Sequence, residues 1–410
     1  MAVVVQKYGG TSVGDAGRMK NVARRIAARC RSGDQLVVVV SAMGDSTDRL
    51  ISLAREITAH PEARELDLLL STGETVSMTL VAMALHDLGL DAVSLSGAQA
   101  GLRTDKTHGR ARILAVEPVR IHQELDRGRV VIVSGFQGIT EEEEVTTLGR
   151  GASDLTAVAL AASLQAKRCE IYTDVDGVYT ADPRLEPKAR KLRDISYEEM
   201  LELASLGARV MNPRAVELGA VYNVPIVVAS SFKDEPGTLI HGGVDMEQGN
   251  RVRGIAHDLD VAKVTVRRVP DKPGIAARIF EALADRHIAV DTIVQNASVE
   301  KMTDLTFTVH VNDLPKATEL VNALAKDVGA GEIVADDSLG KVSIVGTGIH
   351  SAPGYAARMF RTLSDDGVNI EMISTGEIRI TCIIKRSDVD AAVRALHKAF
   401  ELEKPDASEL

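Results

Sequence analysis

The chain has 410 residues, about the length of two or three domains, with 45% hydrophobic and 26% charged residues. That balance excludes wholesale disorder and collagen-like repeats. The net charge of −10 and the 3% aromatic content argue against nucleic acid as a partner. No membrane attachment is expected. The longest apolar candidate, Ala157 to Leu164, is short and broken by Ser163, far from the ~18 to 20 residues of a spanning helix. The N-terminus lacks a basic region ahead of an apolar stretch and does not read as a signal peptide. Cys30, Cys169 and Cys382 are odd in number and far apart, which fits a reducing cytoplasm and no disulfide framework.

Up to about residue 230, β-branched runs alternate with helical patterns. Strands are expected at Val3–Val5, Leu36–Val40, Ala92–Leu95, Val130–Val133, Glu170–Tyr172 and Pro225–Val228. Helices are expected over Asp15–Arg31, Thr47–Thr58 and Ser153–Gln165. Nearly continuous apolar strands in a βαβα order imply a mainly parallel sheet covered on both faces, with ligands beyond the carboxyl ends of the strands.

Four segments at such strand ends carry chemistry. Lys7-Tyr8-Gly9-Gly10-Thr11-Ser12 puts backbone N–H groups, a helix start and a lysine where an anion could sit. It is neither a Walker A loop nor a dinucleotide fingerprint. Ser41-Ala42-Met43-Gly44 could form the opposite wall, or be a tight turn. Gly149-Arg150-Gly151-Ala152-Ser153-Asp154 combines flexible backbone, a guanidinium suited to carboxylate or phosphate, a hydroxyl and a carboxylate. As a simple N-cap, Ser153 or Asp154 would explain only one of these residues. Thr173-Asp174-Val175-Asp176-Gly177-Val178-Tyr179-Thr180-Ala181-Asp182-Pro183-Arg184 offers carboxylates for ribose or a Mg²⁺ shell and a ring for a base, or is a solvated turn. Glu141 to Glu144, His108 and His122 read as surface features.

Ser231 to Asn250, with Pro236-Gly237 and Gly242-Gly243, reads as the exit from the first domain. An internal repeat with an offset of 80 residues follows: Pro273-Gly274-Ile275-Ala276-Ala277-Arg278-Ile279-Phe280 matches Pro353-Gly354-Tyr355-Ala356-Ala357-Arg358-Met359-Phe360. Each copy predicts a first strand (Lys263–Val266, Lys341–Val345), a helix, two more strands (Ala289–Val294 and Asp304–Val311, Asn369–Ile373 and Ile378–Ile384) and a closing helix (Leu314–Lys326, Val389–Phe400). Two βαββαβ-like, ferredoxin-like units result.

The four motifs and the repeat together resemble aspartate kinase, an amino acid kinase-superfamily enzyme ending in two ACT domains, over about Val3 to Phe400. The resemblance implies a catalytic domain at 1–245, ACT domains at 262–337 and 340–402 that could exchange elements, and a polar tail at 403–410. It implies transfer of the ATP γ-phosphoryl to the side-chain carboxylate of L-aspartate, opening lysine, threonine and methionine biosynthesis. Lys7 and Asp154 would be catalytic. Lys7, Tyr8, Gly9, Gly10, Ser41, Thr173, Asp174, Tyr179, Asp182, Arg184, Arg209 and Val210 would bind ATP. Thr47, Glu74, Arg150, Gly151, Ala152 and Ser153 would bind aspartate. Mg²⁺ would arrive with ATP, with no dedicated protein metal site. Lysine, threonine or both would act at Asp271, Gly274, Ala276, Asp291, Gln295 and Asn296, with Asn369 and Ile370 closing the pocket. A homo-oligomer through the ACT domains is implied, and Met246 could be an internal start for a separate regulatory chain.

Two departures stand out. The family pattern has glycine where this chain has Ala152, so a non-left-handed backbone is expected there. It also has lysine where this chain has Arg209, which loosens the nucleotide role given to that position. A kinase acting on glutamate, N-acetylglutamate or UMP, and a catalytically silent amino acid sensor, are the competing readings. Glu74, suited to a free ammonium, counts against the N-acetylated and nucleotide acceptors. Lys7, Arg150 and Asp154 count against the sensor.

Overall fold

The computed structural model describes residues 2–208, 210–243, 252–296, 301–350 and 353–404. Arg209, Met246 and tail residues 405–410 lie outside them, and with them the readings placed there.

The first 243 residues run β1 (Val3–Tyr8), α1 (Ala16–Arg31), β2 (Gln35–Val40), α2 (Ser46–Ile57), α3 (Ala63–Asp87), β3 (Ala92–Leu95), β4 (Leu102–Thr104), β5 (Ile113–Val116), α4 (Val119–Asp126), β6 (Val130–Ser134), β7 (Gln137–Ile139), β8 (Val145–Thr147), α5 (Ser153–Ser163), β9 (Arg168–Thr173), β10 (Asp194–Ser196), α6 (Tyr197–Ser205), α7 (Pro213–Tyr222), β11 (Ile226–Ser230) and β12 (Thr238–His241). The repeat runs β13 (Gly254–Pro270), α8 (Ile275–Asp285), β14 (Val290–Gln295), β15 (Met302–His310), α9 (Leu314–Val328), β16 (Ile333–Val345), α10 (Tyr355–Asp365), β17 (Met372–Thr375), β18 (Arg379–Lys385) and α11 (Val389–Ala399).

The expected fold class is observed. Eight strands form one sheet in the order β10-β12-β11-β9-β1-β2-β6-β3, parallel except where β11 meets β12. Val4 and Val5 on β1, Leu36 to Val40 on β2 and Val130 to Ser134 on β6 are buried, because helices cover both faces. Two apolar cores result, one on each side of the sheet. Val5, Val37 and Val39 point into one, and Val4, Val38 and Val40 into the other.

Three features depart from the sequence reading. Thr238–His241, read as part of a linker, is strand β12 of this sheet, turned back antiparallel on β11. A separate four-stranded sheet, β5-β4-β7-β8, packs against α3 through β8. Helix α3 is long and apolar enough to span a membrane, with 25 residues and a mean hydropathy of 1.5 over its best window. The expectation that no such run exists is thereby corrected. Half of that window is buried inside the fold, and the helix turns Asp67 and Glu74 inward, as a core helix of the domain.

The repeat forms one antiparallel six-stranded sheet, β14-β15-β13-β16-β18-β17. The two long central strands are shared. Val264–Val266 of β13 pair with Ile333–Ala335, while Gly254–Asp258 pair with Lys341–Val345 beyond a bulge. Each unit therefore borrows a strand end from its neighbour, and the two cores lie side by side under α8 and α9 and under α10 and α11. The strand expected at Asn369–Ile373 starts only at Met372, where pairing with β18 begins, and Val368 to Ile370 run without regular structure after the turn at Asp366–Gly367.

Candidate active site

The site sits where β1, β2 and β9 end. Tyr8 O accepts from Ser41 N (3.1 Å), and Tyr172 O accepts from Gly9 N (3.1 Å). Adjacent parallel strands thus hand their first loop residues to each other. Gly10 is required by a close approach. A Cβ there would stand 2.8 Å from Ala42 O, a backbone atom that cannot swing away, and Gly10 O itself accepts from Gly44 N (3.1 Å). Gly10→Ala is expected to push the two loops apart and lower kcat by about 10²-fold. Steady-state kinetics read alongside far-UV circular dichroism check this, with the spectrum unchanged.

Lys7 leaves the end of β1 and meets Asp154, the second residue of α5, at 2.7 Å, with both side chains about nine-tenths buried. Asp154 Oδ2 accepts from Asn212 N (3.2 Å), and Asn212 Nδ2 donates to Arg150 O (3.2 Å). Asn212 also caps α7 by accepting from Arg214 N. One asparagine therefore ties the carboxylate to the arginine loop. The sequence reading did not single it out, and Asn-Pro at a helix start was its only signal. Gly149 and Gly151 have φ of +95° and +73°, the left-handed region where alanine would be strained. Ala152 has φ −79° and ψ 2°, so the departure from the family glycine costs no strain. Ser153 is buried beside Gly135.

Glu74 projects from the middle of α3 and is 3% exposed. Oε1 accepts from Ala42 N (3.1 Å), while Oε2 is buried with no hydrogen-bond partner among the described residues. Burial pushes its carboxyl up to about 7, against the opposing pull of the backbone hydrogen bonds. Thr47 lies half-buried in the first turn of α2. Arg150 is largely exposed and pairs with Asp48 of α2.

A second buried acid on α3 escaped the sequence reading. Asp67, 1% exposed, accepts from Gly109 N, Thr147 N and Thr147 Oγ1 and lies 3.0 Å from His108 Nδ1. His108 is thus a partner of Asp67 and half-buried, which corrects its reading as a surface residue. His122 is exposed, as are Glu141 to Glu143, but Glu144 is half-buried and paired with Arg64.

On the other side of Lys7, Ser12 Oγ donates to Ser231 Oγ (2.8 Å), which donates to Thr173 O (3.1 Å). Ser231 is another residue the sequence reading passed over. Thr173 Oγ1 donates to Asp174. Tyr179 is half-buried and bridges to Lys191. Asp182 and Arg184 form a two-point pair, with Nη2–Oδ2 at 2.7 Å, which holds the Asp182 carboxyl below the usual carboxylate range. Val210 is half-buried two residues before Asn212. Hydrogen bonds and one ion pair therefore link the Gly9–Gly10 loop, the Ser41–Gly44 loop, Glu74, Arg150 and Asp154 around Lys7, while Tyr179, Asp182 and Arg184 make their contacts with Lys191 and with each other.

In the repeat, Asp271 follows β13 with its N donating to Lys301 O (2.8 Å). Gly274, φ +92°, caps α8, and Ala276 lies in its first turn. Asp291 and Gln295 belong to edge strand β14, and Asn296 O accepts from Thr303 Oγ1. Asp291 is in contact with Lys341 of β16. Its repeat counterpart Glu371 takes Lys263 of β13 (3.2 Å) and Asn369 Nδ2 (3.2 Å). Each unit's acid is thus held by a lysine on the other unit's central strand. Ile370 packs against the second unit's core.

Among the described residues no three His, Cys, Asp or Glu side chains converge as a metal cluster would.

Comparison with known proteins matches this architecture. The amino acid kinase family pattern covers residues 2–230, and ACT domain patterns cover 264–329 and 342–400. An aspartokinase of Mycolicibacterium smegmatis is 50% identical over 408 residues, spanning 98% of this chain and 97% of its own. Escherichia coli aspartokinase III, solved with aspartate and ADP in an R-state, superposes with a TM-score of 0.84 at 26% identity, over 97% of this chain and 100% of that one. The same enzyme with lysine and aspartate in a T-state gives 0.76 at 26% identity, over 97% and 99%. The fold and its site define an ATP-dependent phosphotransferase of the amino acid kinase class. Within that class, the chain belongs to the aspartokinase family.

Proposed function

We propose that the chain transfers the γ-phosphoryl of MgATP to the side-chain carboxylate of L-aspartate, giving 4-phospho-L-aspartate and ADP, under feedback control by lysine, threonine or both. The observation that carries the acceptor is Glu74. A buried carboxylate with one oxygen fixed by Ala42 N and the other unpartnered among the described residues is shaped to receive an ammonium, and an α-amino acid brings one.

A carboxylate acceptor has a pKa near ~4 and attacks already ionised, so no general base is needed. A carboxylate oxygen bonds to the γ-phosphorus while the bond to the bridging oxygen of ADP breaks. The protein aligns the partners and offsets charge on the phosphoryl oxygens. Lys7, in the mouth of the Gly9–Gly10 loop, supplies the cation. Asp154 fixes where that ammonium points. Arg150 exchanges its Asp48 contact for the α-carboxylate of aspartate, beside Thr47 and Ser153. Tyr179, Asp182 and Arg184 flank the nucleotide. Mg²⁺ enters as part of the nucleotide substrate.

The regulatory half of the proposal rests on the ACT pair and on the exposed candidates around Asp271, Gln295 and Asn296. The edge strands β14 and β17 expose Ile293 and Ile373, 52% and 44%, at corresponding places in the repeat. Edges of that kind favour side-by-side association of two chains. The three cysteines are free, which suits action in the cytoplasm.

Hydroxylamine trapping of the acyl phosphate tests the whole reading. Hydroxamate is expected with aspartate and not with glutamate or N-acetylglutamate, ADP release should be absent with UMP, whose product would be no acyl phosphate, and lysine plus threonine should suppress the aspartate reaction. Turnover of another acceptor would discard the substrate. Indifference of rate and melting temperature to both amino acids would discard the regulation.

A further inference from the structure

The loop after β9 ends in a segment that the repeat holds from three sides. Thr180 is 1% exposed. Its O accepts from Ile255 N of β13 (2.8 Å), and its N donates to Arg190 O (2.9 Å). Its Oγ1 accepts from Arg190 N (2.9 Å) and lies 3.0 Å from His397 Nε2 on α11, the last helix of the repeat. The next residue, Ala181, is buried in the same apolar cluster as Val342, Ile344, Val389 and Leu396 of the second ACT unit. Asp182 lies in the field of His257 on β13.

His397 is 1% exposed, and burial holds its imidazole below the ordinary value, against the upward pull of Glu186 and Glu403. The ring is therefore neutral near pH 7. Thr180 Oγ1, which already accepts from Arg190 N, can give its proton to Nε2 or take one from it. The other ring nitrogen, Nδ1, lies 3.9 Å from Glu403. By contrast, Glu74 and Arg150 on the aspartate side meet Ala42, Asp48 and Asn212, all in the first domain.

We propose that His397 is a positioning residue for the nucleotide: through Thr180 Oγ1 it sets the placement of the Tyr179–Arg184 segment, so that the second ACT unit governs affinity for ATP rather than for aspartate. This rests on the nucleotide lying against that segment. The link is short. Asp182 is two residues on from Thr180, and the hydroxyl is buried, where an unmade hydrogen bond is costly. Any rotation of α11 against β13 and β16 must carry Thr180 with it or break that bond.

The test uses the full chain and a fluorescent ADP analogue, titrated directly with Mg²⁺ present, beside KM values for ATP and aspartate. His397→Ala and Thr180→Val are each expected to weaken nucleotide binding by about tenfold. The KM for ATP should rise in parallel and the KM for aspartate stay within about twofold. His397→Gln and Thr180→Ser, which keep a polar group in place, should recover most of the affinity. The double variant should bind no worse than the weaker-binding single one, because both remove the same bond. Should His397→Ala fail to fold, the Thr180 pair decides the matter from the nucleotide side. Unchanged nucleotide affinity in Thr180→Val, equal rises in both KM values, or single effects that multiply in the double variant would overturn the inference. Nucleotide affinity that shifts as expected in a chain that does not phosphorylate aspartate would support the inference while removing the acceptor. A chain that binds no nucleotide would remove both.

Discussion

Lys7→Met is expected to lower kcat by about 10³-fold and to destabilise the protein, two effects with separate causes. The first follows from charge. Loss of one preorganised donor at a developing anion costs about 10² to 10³ in rate, and Lys7 brings a full positive charge into the Gly9–Gly10 loop. The second follows from burial. Lys7 and Asp154 are each about nine-tenths buried and 2.7 Å apart, so removing one partner strands the other, at a cost of about 3 to 5 kcal/mol. The Asn212 N–H contact on Oδ2 offsets only part of that. Pairing Lys7→Met with Asp154→Leu separates the two effects, because the double variant buries no unpaired charge. Thermal unfolding should show the single variant melting well below wild type and the double variant recovering most of the loss. Activity should stay at the floor in both. If the double variant regained turnover, Lys7 would be structural and the phosphates would lie elsewhere. Lys7→Arg keeps the charge but is expected to stay impaired, since Nζ already lies within 3.5 Å of where a Cβ on Gly9 would be and a planar fork needs more room.

The site half around Lys7 was legible because its chemistry is local. A β-branched run, two glycines and a helix start, close together in the chain, announce a tight strand-to-helix loop, the place where an anion could sit. Gly149 and Gly151, both left-handed, carry the same kind of message. What the sequence did not state is held across distance. Asp67 meets Thr147 across 80 residues, and Ser12 meets Ser231 across 219, with no periodicity to announce either. Helix α3 hid for another reason. Leu68, Val76, Leu80 and Met83 are exposed while Asp67, Ser71, Glu74 and Ser77 are buried beside Leu70, Met78, Val81 and Leu85, so both faces mix polar and apolar residues and no amphipathic stripe shows. The small sheet of β4, β5, β7 and β8 has strands of three or four residues, too short for alternation to register. The 80-residue repeat was plain in its helices, yet repetition describes each unit alone. It cannot show that β13 and β16 each serve both units, because that pairing is a property of their joint sheet.

Glu74→Gln is expected to raise the KM for aspartate by about 10²-fold while making the protein more stable in alkaline solution. The sign follows from the carboxyl at about 7, raised from 4.5 by burial. The folded state holds the proton more tightly than the unfolded chain. Between about pH 4.5 and 7 the unfolded state therefore gives up its proton first, and stability contributed by this group falls as pH rises through that window. Above it the wild type carries a buried ionised carboxylate at a cost of about 3 kcal/mol, from the shift of about 2.5 units. Glutamine keeps an oxygen for Ala42 N–H and carries no such cost. The melting temperature of Glu74→Gln should exceed that of wild type at about pH 8 and converge with it near pH 5. Binding runs the other way. An arriving ammonium needs the ionised form, so the wild-type KM for aspartate should fall as pH rises through about 7, with a proton released on binding. Calorimetry in two buffers of different ionisation enthalpy would count that proton. In Glu74→Gln the count should drop toward zero and the KM should lose its pH dependence. An unchanged KM in the variant would place the ammonium elsewhere. A variant less stable than wild type at about pH 8 would mean that Oε2 is satisfied in the ionised enzyme. The acid that destabilises the free enzyme is thus the one the substrate relieves, and aspartate should raise the wild-type melting temperature more at about pH 8 than at about pH 6.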